Sequence, residues 1–229
     1  METEKLKKFL INIENIEEYR TIKNEIFNKD CYFFKTDKKA PLIFDIGAHI
    51  GLATIYFKSV YPNSIIYAFE PNPDLFKLLT LNIEQNHLNN VYCINSAISN
   101  KTGTSEFFID SSNKQWLSTG SFYNNHCRDD QENNKILVKT LNLDSQINKE
   151  VDLLKIDAEG AENKILLNFT KFSLIKNIIL EYHSIDGKKP NKIMRLFRKK
   201  GFTNEIINIE EQKGAATLFL IKASNKHLQ

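Results

Sequence analysis

The sequence LIFDIGAHIG, residues 42–51, joins a short apolar run to a turn that contains two glycines. A short apolar run bounded by glycine is typical of a strand buried on both faces of a parallel sheet. Gly47 would allow a tight turn and a close approach of the backbone to a ligand, and Gly51 would let the following helix start close to the strand. Strand, glycine turn and helix in this order predict the first unit of a layered α/β domain.

The same alternation of strands and helices continues along most of the chain. Further apolar strands are predicted at residues 64–69, 91–95, 151–156 and 177–181, and helices at residues 52–61, 74–85, 161–168 and 190–200. Two more strands, at 104–109 and 135–139, flank a long polar loop. The last two apolar runs, 206–209 and 217–221, are separated only by turn residues, which favours an antiparallel hairpin. We therefore predict an open, mostly parallel seven-stranded sheet with helices on both faces and a C-terminal antiparallel hairpin.

The first 39 residues have a different pattern. Apolar residues between Lys5 and Phe27 recur at helical spacing with charges between them, and residues 31–39 read as a short strand and turn. We therefore predict an N-terminal helical extension over residues 1–39, followed by the main domain over residues 40–229.

The composition is that of an ordinary globular protein, with 41% hydrophobic and 26% charged residues among 229. This excludes a disordered or collagen-like chain. The net charge of +3 is too small to indicate a nucleic-acid partner. Cys31, Cys93 and Cys127 are odd in number and far apart, which favours a reducing compartment. With no apolar run near ~18 residues and no secretory signal pattern, we expect a cytoplasmic protein without a membrane span.

An acidic residue follows the second predicted strand, in the sequence AFEPNP at residues 68–73. Glu70 could accept hydrogen bonds from both hydroxyls of a ribose, as acids at this position do in dinucleotide sites. The glycine turn lacks the third glycine of the dinucleotide fingerprint. Asp45 would repel a pyrophosphate but could hold the ammonium group of an amino acid. These features favour S-adenosylmethionine over NAD as the cofactor.

Three further carboxylates follow the strand at residues 151–156, in the sequence KIDAEGAE. Ligands bind at the carboxyl edge of an open parallel sheet, so Asp157 and Glu159 should reach the pocket. Glu162 lies in the first turn of the next helix, where a negative charge is favourable for the helix dipole in any case. A functional role and a purely local one are equally compatible with its position.

Taken together, FDIGAHIG, AFEPNP, LLKIDAEGAE and IILEYH resemble the FkbM-type family of S-adenosylmethionine-dependent methyltransferases over roughly residues 41–221. The resemblance implies a Rossmann-like class I methyltransferase fold and O-methylation of a hydroxyl on a sugar, glycan or small metabolite. It implies that Asp45, Gly47, Gly51 and Glu70 bind the cofactor, with Asp157 and Glu159 where cofactor and acceptor meet. We add four neighbours to the expected cofactor site: Ala48, Pro71, Asn72 and Ala97.

Three residues are candidates for the base that accepts the proton of the acceptor hydroxyl. Asp157 or Glu159 could do so, and His183, at the end of another strand, has an ordinary pKa near ~6.5 that suits neutral pH. A second interpretation places a divalent metal on Asp157 and a neighbouring acid, where it would orient an acceptor diol. Because no further Asp-Asn or Asp-Asp pair follows the Ile178 strand, we assign no metal ligands.

The acceptor is expected to meet the loop region around Trp116, Ser118 and Ser121, together with Glu181. An aromatic ring beside small hydroxyl residues can stack on a sugar and bond its hydroxyls. Two alternatives remain open. Basic residues between 188 and 200 could bind RNA, although a solvated helix face explains them as well and nucleic acid is not the expected partner. A nucleoside-binding module without turnover would keep the same pocket.

Overall fold

The computed structural model describes residues 1–110, 120–121, 133–184, 189–210 and 217–228. The strands are β1 (Glu2–Leu6), β2 (Phe9–Ile13), β3 (Leu42–Ile46), β4 (Ile65–Phe69), β5 (Val91–Ile94), β6 (Ala97–Ser99), β7 (Gly103–Asp110), β8 (Gly120–Ser121), β9 (Asn133–Asn142), β10 (Val151–Asp157), β11 (Ile175–Ser184), β12 (Phe202–Glu210) and β13 (Thr217–Asn225). The helices are α1 (Ile16–Lys23), α2 (Leu52–Val60), α3 (Pro73–Gln85), α4 (Leu143–Gln146), α5 (Glu162–Leu166) and α6 (Asn191–Lys199).

The central sheet has seven strands in the order β12-β13-β11-β10-β3-β4-β5. Strands β11, β10, β3, β4 and β5 run parallel, whereas β13 is antiparallel to both β11 and β12. The predicted open sheet of a class I methyltransferase, with its terminal antiparallel hairpin, is therefore confirmed. Because the central strands are parallel, the carboxyl ends of β3, β4, β10 and β11 lie along one edge, where a ligand site is expected.

Apolar residues cover both faces of the sheet. One cluster packs α2, α3 and the N-terminal segment against one face, with Ile43 and Leu153 fully buried in it. A second cluster packs α5, α6 and the segment around Phe172 against the other face. None of the helices in the part of the chain that the structure describes is long and apolar enough to cross a membrane.

A second, four-stranded sheet, in the order β6-β9-β7-β8, follows β5. The two strands predicted around the polar loop are present as β7 and β9, which pair antiparallel from Gly103 to Asp110. Strand β6 was not predicted from the sequence; it pairs parallel to β9. The sheet brings Ala97 and Phe107 to the same edge as the ends of the central strands.

The prediction of helix is wrong for residues 2–13, which form an antiparallel hairpin of β1 and β2. The apolar residues Phe9, Ile11 and Ile13 are buried and Leu10 is exposed, an alternation that fits a strand. Lys7, with φ of 54°, makes the turn between the strands. Helix is present only from Ile16, capped by the Asn15 side chain, and residues 31–41 pair with no strand of the described chain.

The hairpin is tied to the end of α3 by several side chains, of which Asn82 is fully buried. Asn82 Oδ1 accepts hydrogen bonds from the backbone N–H of Asn12 at 2.7 Å and from its side-chain Nδ2 at 3.0 Å. Asn82 Nδ2 donates to the carbonyl oxygens of Asn12 at 3.1 Å and Ile50 at 2.8 Å. All polar atoms of this amide are therefore used in joining the N-terminal segment to α3 and the glycine turn. The division at residue 39 stays a prediction.

Candidate active site

A cavity opens at the carboxyl edge of β3, β4, β10 and β11. Its volume, including the solvent-filled mouth, is about 1010 Å³. A cavity at this edge of an open parallel sheet lies where ligands of such folds bind. The described lining residues include seven of the predicted cofactor residues, namely Gly47, Ala48, Glu70, Pro71, Asn72, Ala97 and Asp157, and also Glu159 and Glu181.

The glycine turn forms the floor of this cavity. Gly47 has φ of 76°, and a Cβ placed there would lie 1.9 Å from the carbonyl oxygen of Asp157, so β10 leaves room only for glycine. The N–H groups of Gly47 and Ala48 both donate to the carbonyl oxygen of Phe69, which fixes the turn against β4. Gly51, with φ of 93°, directly precedes α2, and a Cβ placed there would lie 2.9 Å from the side chain of Leu79.

Glu70 lies at the end of β4 and is buried. Its Oε2 accepts from the N–H of His49 at 2.9 Å, and its Oε1 accepts from the N–H of Asn72 at 2.8 Å. Burial raises the pKa of Glu70 to about 7, although these two N–H groups act in the opposite direction. Each oxygen is thus held by one backbone donor and keeps further acceptor capacity toward the cavity. Asn72 also caps α3 by accepting from the N–H of Asp74.

The structure places Asp45 behind the turn, fully buried and paired with Lys155. Thr54 Oγ1 donates to Asp45 Oδ2 at 2.7 Å, and Lys155 Nζ lies 3.3 Å from Asp45 Oδ1. Lys155 Nζ also donates to the carbonyl oxygen of Gly47 at 2.7 Å and lies 3.6 Å from Asp157 Oδ2. Sequence reasoning missed Lys155; the signal was a lysine within the otherwise apolar strand LLKID. Asp45 therefore supports the turn through this lysine.

Carboxylates form one wall of the cavity. Asp157 and Glu181 lie opposite each other on the paired strands β10 and β11, and Glu159 follows Asp157 with φ of 46°. Burial, with Asp157 contributing, raises the pKa of Glu181 to about 8. Burial raises the pKa of Glu159 to about 7, with His183 opposing the shift and Asp157 adding to it. Acidic groups are thus crowded where β10 and β11 end, and the raised pKa values of Glu159 and Glu181 keep part of them protonated near neutral pH.

His183 lies between two carboxylates. Its Nδ1 is 3.1 Å from Oε1 of the fully buried Glu162, and its Nε2 is 3.3 Å from Oε2 of Glu159. Burial by itself lowers the pKa of His183, but Glu159 and Glu162 outweigh it and hold the pKa well above its usual value. Glu162 Oε1 also accepts from the N–H of Gly160 at 2.8 Å. Glu162 therefore does more than begin a helix, because it orients the imidazole.

The N-terminal segment also lines the cavity, which sequence reasoning did not anticipate. Ile22 lines the cavity from α1, and Glu25 and Ile26 line it from the π-helix Asn24–Asn28 that continues α1. Tyr32 lines it from the extended segment that follows. The Tyr32 hydroxyl donates to Oε1 of Glu181. The helical spacing of this segment indicated its buried face, but no local signal pointed to its partner.

The predicted acceptor residues are only partly brought to the site. Ser121 Oγ donates to the carbonyl oxygen of Glu159 at 2.7 Å, which ties β8 to the acidic wall. Glu181 lines the cavity. Trp116 and Ser118 lie outside the described residues.

The chain is similar to known methyltransferases. Residues 45–203 match the family described as the methyltransferase FkbM domain. Over 214 residues, covering 81% of this chain and 82% of the relative, it is 28% identical to methyltransferase sdnD of Sordaria araneosa. Over 219 residues, covering 82% of this chain and 84% of the relative, it is 24% identical to the 31-O-demethyl-FK506 methyltransferase FkbM of Streptomyces tacrolimicus.

Solved structures support the fold. The fold is similar to that of TYW2 of M. jannaschii, solved in complex with AdoMet, with a TM-score of 0.52, 15% identity, and coverage of 96% of this chain and 84% of that one. At this identity the likeness concerns the fold alone. The family match spans well over half of the sequence. The chain therefore belongs to the FkbM family of methyltransferases.

Proposed function

We propose that this protein is an S-adenosylmethionine-dependent O-methyltransferase whose acceptor is a hydroxyl group of a sugar, glycan or small metabolite. One observation carries the proposal: Glu70 and Glu159 line the same cavity at the edge of the sheet. Glu70 is suited to bind a ribose, and Glu159 is suited to accept a proton. One residue can therefore bind the cofactor while another accepts the proton of an acceptor in the same cavity.

The residues present fit the cofactor. Glu70 has both oxygens held by backbone donors and open acceptor capacity, which suits the two ribose hydroxyls. Asp157 Oδ1 is buried and has no hydrogen-bond partner among the described residues, which suits the ammonium group of the methionine part. Gly47 and Ala48 offer a turn without bulky side chains along which the cofactor can lie. S-adenosylmethionine, when bound, supplies a methyl group on a positively charged sulfur.

Glu159 is the residue we assign to accept the acceptor's proton. Its pKa of about 7 lies near the working pH, which is favourable for a general base. His183 is held in its protonated form between Glu159 and Glu162, so it is poorly placed to take another proton. Its role is to keep Glu159 oriented. Positioning the hydroxyl in line with the methyl group supplies much of the remaining acceleration.

The charge of the cavity favours a neutral or cationic acceptor. The described lining residues include the carboxylates Glu25, Glu70, Asp157, Glu159 and Glu181 and one lysine, Lys155. The ionised fraction of these acids would repel a phosphate backbone. The name of the Streptomyces relative describes methylation of an O-demethyl compound, which is in keeping with a hydroxyl acceptor. We therefore do not expect the basic residues of α6 to bind RNA as substrate.

Calorimetric titration with S-adenosylmethionine, S-adenosylhomocysteine and NAD tests the cofactor. We expect micromolar binding of the first two and none of NAD. A screen of sugars and small hydroxylated metabolites, with methyl gain read by mass spectrometry, then tests the reaction. Binding of NAD alone would contradict the proposal. Tight cofactor binding without methylation of any acceptor would favour a nucleoside-binding module, and salt-sensitive methylation of RNA would favour the alternative substrate.

A further inference from the structure

Helix α6 presents a basic side to solvent. Ile193 and Phe197 are fully buried in the core cluster that covers one face of the central sheet. Lys192, Arg195 and Lys199 recur at the spacing of one helix side, opposite this buried pair, and are exposed. Further exposed basic residues flank them: Lys189, Arg198 and Lys200. Among the described residues, no carboxylate forms an ion pair with any of the six.

The neighbouring edge strand, β12, adds exposed aliphatic side chains on the same side of the sheet. Ile206 and Ile209 lie opposite Ile221 and Phe219 of β13, which belong to the same core cluster as the buried side of α6. Directly opposite residues of an antiparallel pair project to the same face. Ile206 is nevertheless 38% exposed and Ile209 is 53% exposed. Ile207, at the irregularity between them, is 46% exposed.

The acid on β12 beside these isoleucines is directed away from them. Asn204 projects toward α6, since its Nδ2 donates to the carbonyl oxygen of Met194 at 3.1 Å. The next residue, Glu205, lies opposite Lys222 of β13. Lys222 Nζ donates to the carbonyl oxygen of Phe33, in the N-terminal segment that covers the other face of the sheet. Glu205 therefore does not neutralise the basic side of α6.

α6 and β12 thus form one surface that is both basic and aliphatic. We call it the basic–aliphatic surface, and it consists of Lys192, Arg195, Lys199, Ile206, Ile207 and Ile209. It is separate from the cavity, whose described lining includes none of these residues. The proposed function gives it no role.

This combination of side chains fits an anionic bilayer better than other partners. Acidic headgroups attract Lys and Arg, and aliphatic side chains insert at the boundary with the acyl chains. Single-stranded RNA is bound by aromatic rings that stack on its bases, whereas the exposed large apolar side chains of β12 are isoleucines. A strand from another chain needs a regular edge, but the register of β12 shifts between Ile206 and Asn208.

We propose that the basic–aliphatic surface binds the headgroup region of anionic lipid bilayers and holds the protein at the membrane surface without spanning it. Each basic residue near such a surface contributes roughly fivefold in affinity. The attraction acts only within about a Debye length, so it is sensitive to salt. This inference stands independently of the proposed function, because none of its residues lines the cavity among the described residues.

Cosedimentation of the full chain with lipid vesicles tests the proposal. Vesicles of phosphatidylcholine and phosphatidylglycerol in equal parts should bind the chain, and vesicles of phosphatidylcholine alone should not. Binding should fall more than about tenfold between roughly 0.1 and 0.5 M NaCl. The triple variant Lys192→Gln, Arg195→Gln, Lys199→Gln should weaken binding by roughly 100-fold, and the double variant Ile206→Ser, Ile209→Ser by more than about threefold.

The matched control removes three exposed lysines elsewhere, by Lys5→Gln, Lys77→Gln and Lys101→Gln. It should change vesicle binding by less than about threefold, and the melting temperature of every variant checks its folding. Loss of binding confined to the surface variants, at unchanged melting temperature, would support the proposal. It would be overturned by absence of binding to the anionic vesicles, or by an equal loss in the control. Full binding by the isoleucine variant would indicate a general polyanion site, and tighter binding of single-stranded RNA than of vesicles would indicate a nucleic-acid surface; either result would also overturn it.

Discussion

Replacing Glu70 with Gln should weaken cofactor binding and remove part of its pH dependence. The substitution keeps the size of the side chain but removes its charge and one acceptor oxygen. Hydrogen bonds to a charged group contribute about 1.5–3 kcal/mol each, so loss of one corresponds to roughly 10- to 150-fold in Kd. Alanine is less informative here, because it would leave both N–H groups, of His49 and Asn72, without an acceptor, whereas glutamine keeps an acceptor for one of them.

The sign of the pH effect follows from the buried carboxyl. Burial raises the pKa of Glu70 to about 7, and hydroxyl donors bind its ionised form. Cofactor binding should therefore release a proton near pH 6 and become tighter as the pH rises. With a pKa of about 7, the affinity gained between about pH 6 and pH 8 from this residue is roughly tenfold. Because of the same raised pKa, the free energy of unfolding of the cofactor-free protein should fall as the pH rises from 4.5 to about 7.

Calorimetry with S-adenosylhomocysteine, in buffers of different ionisation enthalpy, measures both the Kd and the number of protons released on binding. The difference between wild type and Glu70→Gln isolates the contribution of this residue from those of Glu159 and Glu181. Glu84→Gln, at an exposed position on α3, is the matched control for loss of a negative charge. An unchanged Kd in Glu70→Gln, with the same proton release as wild type, would refute the assignment of the ribose to Glu70.

Three further outcomes are expected. Gly47→Ala should abolish cofactor binding or folding, because its Cβ would lie 1.9 Å from a carbonyl oxygen of β10. Gly103→Ala, which is also at a positive φ but in open space, should retain cofactor binding, and calorimetry distinguishes the two variants. Asn82→Ala should lower the free energy of unfolding by about 2–4 kcal/mol, or roughly 4–16 °C in Tm, because it leaves several buried groups unpaired. An unchanged melting curve would contradict this. Tyr32→Phe removes the hydroxyl that donates to Glu181 and should lower the free energy of unfolding by about 1–3 kcal/mol, while the affinity for S-adenosylhomocysteine changes less than about threefold. A larger loss of affinity would mean that this contact serves the cofactor.

The sheet and the cofactor half of the site could be predicted because their signals are local. Apolar runs, the glycine turn and the acids at the ends of β4 and β10 are readable from neighbouring residues, and a parallel sheet brings strand ends together whatever the details of the connections. Gly47, Glu70 and Asp157 were therefore expected near one another. Their common cavity follows from topology rather than from any long-range contact that the sequence would have to reveal.

The rest depends on contacts between distant parts of the chain. The hairpin at residues 2–13 was misread because Phe9, Ile13 and their neighbours satisfy helical spacing as well as alternation, and its tie to Asn82 spans 70 residues. The pairing of Lys155 with Asp45 and that of Tyr32 with Glu181 likewise arise only after folding. Glu162 could not be distinguished from an ordinary helix-start acid until His183 was seen against it.

The wall formed by Ile22, Glu25, Ile26 and Tyr32 has a consequence for how such enzymes can diversify. These residues all precede residue 45, where the match to the family begins, whereas Glu70, Asp157 and Glu159 lie inside it. The cavity is thus built from two parts of the sequence, one inside the family match and one before it. Exchanging the leading segment between relatives would change the wall at Ile22, Glu25 and Ile26, provided that Asn12 and Tyr32, the partners of Asn82 and Glu181, are kept.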